Sequence, residues 1–453
     1  MTAVHEGLPG RSGARRSAPG PGPIVTGLRS FAGLPGTPAA LHLAVADIRD
    51  VRADLPWQGD LQGFGTSWDD PGPARVSARG EAVERYCGTW PPRDLVHSSH
   101  DDLVARGLTA LAPSRLALYS PGQYATPGFP FTPFLRSSPV HWVRATSLGG
   151  GDVHVPAFLV HTGWPHVPKA AGEPLHAFPA IGGTAAGETL EAAIRSGLQE
   201  IVEHDASAVW WLNGAPQPTL APTPRLAALA GADEVRFWSI ANAFGVPVIA
   251  AAVRSPEGWL TVGTAMRPDP EQAALKALAE AYTLQITCRT LDDRNAVSAI
   301  IAGYGDRPAP LRPWRAARDY VDHYGPADLV ELLCHQQFHL DPRAGDAALA
   351  WAAAAPPADW AAIPRPADDS LDALHARVAA AGHEVLYVDL TTPEAAEDGV
   401  HVVRVLVPGT IGTAPAAYPP LGLRRAQDLG ARLGWHPEPL GEEELNRDPM
   451  PHG

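Results

Sequence analysis

The chain has 453 residues, 45% of them hydrophobic, and a net charge of −14, which is length and apolar content for a large or two-lobed globule. The acidic balance excludes nucleic acid as the main ligand, because phosphate backbones need a basic face, and the lack of any run of 18 apolar residues excludes a membrane span. Cys87, Cys288 and Cys334 make neither a disulfide framework nor a zinc spacing, and Arg11, Arg15 and Arg16 precede no signal-peptide core, so the expected compartment is the cytoplasm.

Residues 1–22 are Gly, Pro, Ser and Arg with almost nothing apolar, a composition that predicts disorder. Gly63-Phe64-Gly65 is a glycine-rich approach, and Pro71-Gly72-Pro73 leads into a helix predicted over Ala74–Tyr86. A short helix is expected near Asp101–Gly107, and strands at Val140–Ala145 and Val153–His161. Gly182-Gly183-Thr184-Ala185-Ala186-Gly187 reads as a loop before a long amphipathic helix from Glu188 to about Trp211. The apolar stripe of that helix is Leu190, Ile194, Leu198, Ile201 and Val202. Trp210 and Trp211 read as core. Strands follow at Glu234–Ile240 and Val246–Val253, then a third helix from Pro268 to about Thr287 that carries Lys276 and Glu280.

Beyond Arg307 come further helices, and Ala344–Asp368 is a Pro- and Ala-rich connection. A final unit has a helix at Ser370–Ala381 and strands at Glu384–Asp389 and His401–Val407. Cys334, His335 and His339 have helical spacing but no acidic or fourth partner, so they read as packing rather than as metal ligands. Interleaved strands and helices predict an α/β or α+β class, with mixed sheets flanked by helices.

One short pattern occurs twice, about 120 residues apart: Ser77 to Arg85 contains Glu81-Ala82-Val83-Glu84, and Ser196 to His204 contains Glu200-Ile201-Val202-Glu203. Carboxylates at i and i+3 share a helix face, roughly 5–6 Å apart at Cβ, and repel unless a cation lies between them. Two such helices facing each other would gather Glu81, Glu84, Glu200 and Glu203 around one small volume. Mg²⁺ suits such a place, and it keeps coordination positions for phosphate oxygens. The repeat therefore predicts a Mg²⁺–nucleotide site on two similar lobes. Lys169 and Lys276 are the two lysines, and neither has a Walker A context; a kinase-type glycine loop with its strand lysine is missing as well.

From Pro23 to Gly453 these residues resemble the YcaO-domain proteins. The stretch Gly63-Phe64-Gly65 through Ala74, Ser77, Ala78, Glu81, Glu84 and Arg85 is similar to that family's first ATP/Mg²⁺ helix. Ala185-Ala186-Gly187 through Glu200, Glu203, Asp205 and Ala206 is similar to its second, and Ala274–Glu280 to its third nucleotide-contacting helix. Residues 382–391, residues 402–409 and the proline-containing ending 441–453 resemble the azoline-forming cyclodehydratase branch. Phe64 stands where the family often has a lysine, His204 stands in its Glu-Arg-Asp triplet, and Lys276 replaces an arginine, a point charge for a bidentate fork.

The resemblance implies a YcaO fold of two similar lobes around a central ATP/Mg²⁺ cleft, spanning 23–453. Glu81, Glu84, Glu200 and Glu203 would hold Mg²⁺, while Ser77, Arg85, Thr184, His204, Lys276 and Glu280 would contact ATP. The terminal carboxylate of Gly453 would be the catalytic group beside the reacting amide. The implied reaction is ATP-dependent cyclodehydration of Cys, Ser or Thr in a ribosomal precursor peptide to thiazoline or oxazoline through amide O-phosphorylation. Thioamide or macrocyclic amidine formation, and a non-catalytic accessory subunit, stand as alternatives. Only about 22 residues precede the matching region, so a separate ThiF-type leader-binding partner is expected. A flavin dehydrogenase would be needed for an azole product, and a homodimer is an expected assembly.

Overall fold

The computed structural model describes residues 22–452 apart from 56, 92–93, 168–171 and 180–181. The expected disordered segment, but for Gly22, and the expected catalytic Gly453 lie outside the described residues. In chain order the strands are β1 (Val25–Ala32), β2 (Leu41–Ile48), β3 (Gln62–Trp68), β4 (Val96–Ser98), β5 (Val140–Ser147), β6 (Asp152–Pro156), β7 (Thr184–Gly187), β8 (Thr219–Leu220), β9 (Glu234–Ser239), β10 (Val248–Arg254), β11 (Leu260–Met266), β12 (Leu386–Asp389) and β13 (His401–Leu406). The helices are α1 (Pro71–Thr89), α2 (His100–Ala105), α3 (Pro121–Ala125), α4 (Leu190–Asn213), α5 (Pro224–Ala230), α6 (Pro270–Leu291), α7 (Arg294–Gly303), α8 (Leu332–Phe338), α9 (Pro342–Ala352), α10 (Leu371–Ala380), α11 (Pro393–Glu397) and α12 (Arg425–Arg432).

Three sheets result, flanked by helices: β1-β2-β3, β11-β10-β9-β8, and β4-β5-β12-β13-β7 with β6 paired beside β5. The mixing is of helices with strands, since the ladders are antiparallel. Among the described residues no helix is long and apolar enough to cross a membrane.

Small residues decide how the first two sheets hold their helices. A Cβ on Gly63 would come 2.7 Å from the Ala78 carbonyl, and one on Gly65 2.8 Å from the Ser77 Cβ. Glycine in β3 opposite Ala74, Ala78 and Ala82 therefore lets α1 lie directly on the strand. The same device recurs where Gly263 of β11 meets α6, with a Cβ there falling 2.7 Å from Ala281 N. A three-strand antiparallel meander with a helix folded back on its last strand thus occurs twice. The glutamate repeat is distributed differently: it lies on α1 and α4, and α4 packs on β13 and β7.

Local chemistry sets the helix ends. The Asp70 carboxylate accepts from Gly72 N at the start of α1, with proline at the first positions. The Thr189 hydroxyl accepts from Ala192 N at 3.1 Å, so α4 starts at Leu190 rather than Glu188. Gly214, at φ 54°, ends it. Ile194, Leu198 and Val202 of its stripe are buried with Trp210 and Trp211 in one core cluster, against Trp238 and Val248. Several elements differ from the sequence reading: α9 takes up the start of the stretch expected as a connection, and β3 forms at the expected glycine-rich approach. Residues 184–187 form β7 rather than loop, because β13 offers a pairing edge that small residues alone do not advertise. β11 also went unread, since Gly263 interrupts its apolar run.

Candidate functional site

All four motif glutamates accept a hydrogen bond from a backbone N–H, and the donors belong to three sheets. Glu81 Oε2 takes Phe64 N of β3 at 3.0 Å. From the same helix, Glu84 Oε1 takes Ala186 N of β7 at 2.7 Å. Glu200 Oε2 takes Gly183 N, just before β7, at 3.0 Å. Glu203 Oε2 takes Met266 N at the end of β11 at 3.0 Å, and its Oε1 takes the Thr264 hydroxyl at 3.0 Å. One helix therefore ties the first sheet to the six-stranded sheet, and the other ties that sheet to the second. The two Glu-x-x-Glu faces meet at β7.

The carboxylates differ in how they are neutralised. Glu81 pairs with Arg85, whose Nε donates at 2.7 Å and whose Nη1 reaches Asp60 at 3.1 Å. Glu203 is buried, which alone would raise its pKa, but Lys276, His204 and the Met266 N–H outweigh burial and hold it below the ordinary value. The Lys276 ammonium lies 3.9 Å from Glu203 and is bonded to Glu280. Burial would push that amine down, yet the two glutamates win and raise it.

The inner pair is short of positive charge. Among the described residues Glu84 has no Lys or Arg at ion-pair distance, and Glu200 has His204 Nε2 at 3.9 Å. Burial, helped by the charges of Glu200 and Glu81, pushes Glu84 up to about 8 against the pull of the Ala186 N–H. A buried carboxylate whose proton affinity is raised by neighbouring carboxylates marks a place where a hard divalent cation with oxygen ligands fits.

The remaining expected residues are Thr184, His204 and Ser77. Thr184 accepts from Arg404 Nη1 at 2.9 Å. His204 is buried with its ring against Gly182, where a Cβ would fall 2.7 Å from Cε1. Ser77 is exposed one turn before Glu81. The segment ending at His452 comes alongside, with its ring centroid 6.4 Å from that of His204.

Two arginines had no role in the sequence reading. Arg404 of β13 is 1% exposed and its charge acts on Glu200. Arg267, directly after β11, bonds the Met266 carbonyl at 2.6 Å and lowers Glu203. The signal for Arg404 is a charge inside the apolar run Val402-Val403-Arg404-Val405-Leu406. For Arg267 no sequence signal separates it from a surface arginine.

The family model described as YcaO cyclodehydratase, ATP- and Mg²⁺-binding, matches residues 62–411, which include the four glutamates, Arg267, Lys276 and Arg404. An uncharacterised protein of Methanothermobacter thermautotrophicus is 27% identical over 355 residues, 74% of this chain and 78% of its own length. A solved heterocyclase in complex with substrate and cofactor has a TM-score of 0.64 at 23% identity, covering 94% of this chain and 55% of that one. YcaO from Methanopyrus kandleri bound with AMPPCP and Mg²⁺ has a TM-score of 0.56 at 21% identity, covering 86% and 90%. At these identities the structural likeness is one of fold, and the chain spans about half the length of the heterocyclase.

Proposed function

This chain belongs to the YcaO family, and from that membership we propose that it is an ATP-dependent enzyme that modifies backbone amides of a peptide. The reaction we assign is cyclodehydration: a Cys, Ser or Thr side chain adds to the preceding carbonyl, and the displaced oxygen leaves on phosphate. Per ring the peptide loses one water while one ATP becomes ADP and phosphate. The observation that supports this reading is Glu84, a buried carboxylate pushed up by burial and by the charges of Glu200 and Glu81, with both inner glutamates held by main-chain N–H groups.

In this reading Glu84 and Glu200 are the inner Mg²⁺ ligands, and Glu81 and Glu203 complete the set from positions steadied by Arg85 and Lys276. The bound cation would neutralise charge on the transferring phosphoryl group. Ser77, Arg85, Thr184, His204, Lys276 and Glu280 face the nucleotide, with Arg267 and Arg404 adding positive potential. The Gly453 carboxylate acts as general base toward the attacking side chain or the amide proton. Residues 23–453 act as one catalytic domain. The substrate is a precursor peptide delivered by a ThiF-type leader-binding partner, and an azole product requires a separate flavin dehydrogenase.

The test combines purified chain, partner, cognate peptide and Mg·ATP, with phosphate release and product mass as readouts. Saturable Mg·ATP binding and loss of one water per modified residue are expected. Exchange of oxygen for sulfur would identify thioamide formation instead. Absence of both nucleotide binding and phosphate release would leave an accessory role.

A further inference from the structure

Four consecutive carbonyls near the end of the chain are each held by a different donor. The Asp448 carbonyl accepts from Trp211 Nε1 at 2.7 Å, Pro449 from His339 Nε2 at 2.7 Å, Met450 from His335 Nδ1 at 3.2 Å, and Pro451 from Val262 N at 2.7 Å. Pro449 and Pro451 have no N–H, so carbonyls are the groups by which a groove can grip this stretch.

His335 and His339 are one helical turn apart, on α8 and its C-terminal cap, so both rings face the same way. Both are buried. His335 Nε2 also accepts from Ala416 N at 2.9 Å, which places its proton on Nδ1, toward Met450. His339 carries its proton on Nε2, toward Pro449. Burial pushes the two pKa values down to about 3 and about 4, so both rings are neutral at pH 7.

The remaining two donors belong to elements of the acidic centre. Trp211 is on α4 with Glu200 and Glu203, and Val262 is two residues before Thr264, which bonds Glu203. Displacement of the segment would therefore be felt next to those carboxylates.

We infer that His335 and His339 are positioning residues: they hold 448–452 by its carbonyls and so set how closely His452 approaches the acidic centre. This rests on the reading of that centre as the nucleotide site, so the experiment includes a readout that does not depend on turnover.

The full chain is compared with His335→Leu and His339→Met, which fill the space without a donor, and with His335→Asn and His339→Gln, which restore an N–H at the same place. Hydrogen exchange of the Val262 and His452 amides is measured together with phosphate release. The Leu and Met variants are expected to exchange these amides about tenfold faster. Their kcat should fall on the order of a hundredfold, because small misplacements at a reacting centre are costly. KM for ATP should stay within about twofold, and the Asn and Gln variants should recover both readouts. Unchanged exchange in the donorless variants, or equal behaviour of the two pairs, overturns the proposal. Faster exchange with unchanged kcat overturns the positioning role. If the unaltered chain binds no Mg·ATP, the functional reading fails while the exchange data still judge the clamp.

Discussion

Asp205 and Arg425 form a buried ion pair: Nη2 donates to Oδ2 at 2.5 Å, the aspartate is 0% exposed, and its Oδ1 also takes Ile411 N at 3.0 Å. Arg425 starts α12 and Asp205 follows the second glutamate motif on α4. One carboxylate thus ties a C-terminal helix and the turn at 411 to the helix that carries Glu200 and Glu203. Asp205→Ala leaves a buried guanidinium unpaired and should lower folding stability by roughly 3–5 kcal/mol. Urea denaturation checks this; a loss below about 1 kcal/mol would place the pair outside the cooperative core.

Glu200→Gln should abolish ATP hydrolysis without changing apo stability. Its amide oxygen can still accept from Gly183 N, so only the charge offered to the cation is lost. A large fall in the apo melting temperature would mark Glu200 as structural instead.

Mg·ATP should raise the melting temperature of the native chain, since a ligand at a hundred times its Kd adds about 2.7 kcal/mol. Glu84→Gln should remove most of that gain. Thermal scans with and without EDTA decide it, and an equal shift in both proteins would move the cation elsewhere.

Gly65→Val drives a side chain into α1, where even a Cβ comes 2.8 Å from that of Ser77. Overpacking at such a contact costs about 1–3 kcal/mol. Separation of α1 from β3 also displaces Glu81 and Glu84, so nucleotide binding should weaken along with stability. Stability and binding that both match the parent would refute the close-contact argument.

His161 is 3% exposed, and burial, aided by Arg404, pushes its pKa down to about 4. Its folded value lies below the unfolded value of about 6.5, so below that pH the unfolded chain takes up a proton that the folded chain refuses. The stability it contributes is whole above pH about 6.5 and is lost as pH falls toward 4, up to about 3 kcal/mol. His161→Leu should flatten that slope in denaturation series at pH 7 and pH 5, and an unchanged slope would assign the acid sensitivity to other groups.

Much of the site was legible because it obeys local rules. Glu81 with Glu84, and Glu200 with Glu203, could be placed on shared helix faces by counting. The Thr189 cap and Gly214 give α4 its ends, and its apolar stripe announces the face it buries. Thr184 to Gly187 carried no such mark: short small residues become a strand when His401–Arg404 lies alongside to pair with them. Arg404 lies within the 402–409 stretch that resembles the family, yet its contact with Thr184 spans 220 positions and no periodicity encodes it.

By itself the chain determined which side chains share a helix, because spacing of three and four residues is a geometric property of the backbone. It determined the shortage of lysines and the two acidic pairs. Tertiary structure decided that Glu84 is buried beside the charges of Glu200 and Glu81 and that Arg404 acts on Glu200, while Arg85 and Lys276 attend the outer two. It also decided that His335 and His339 grip the 448–452 segment. Those outcomes depend on which distant donors and charges arrive within a few ångströms, where burial lowers the local dielectric and makes each missing partner count.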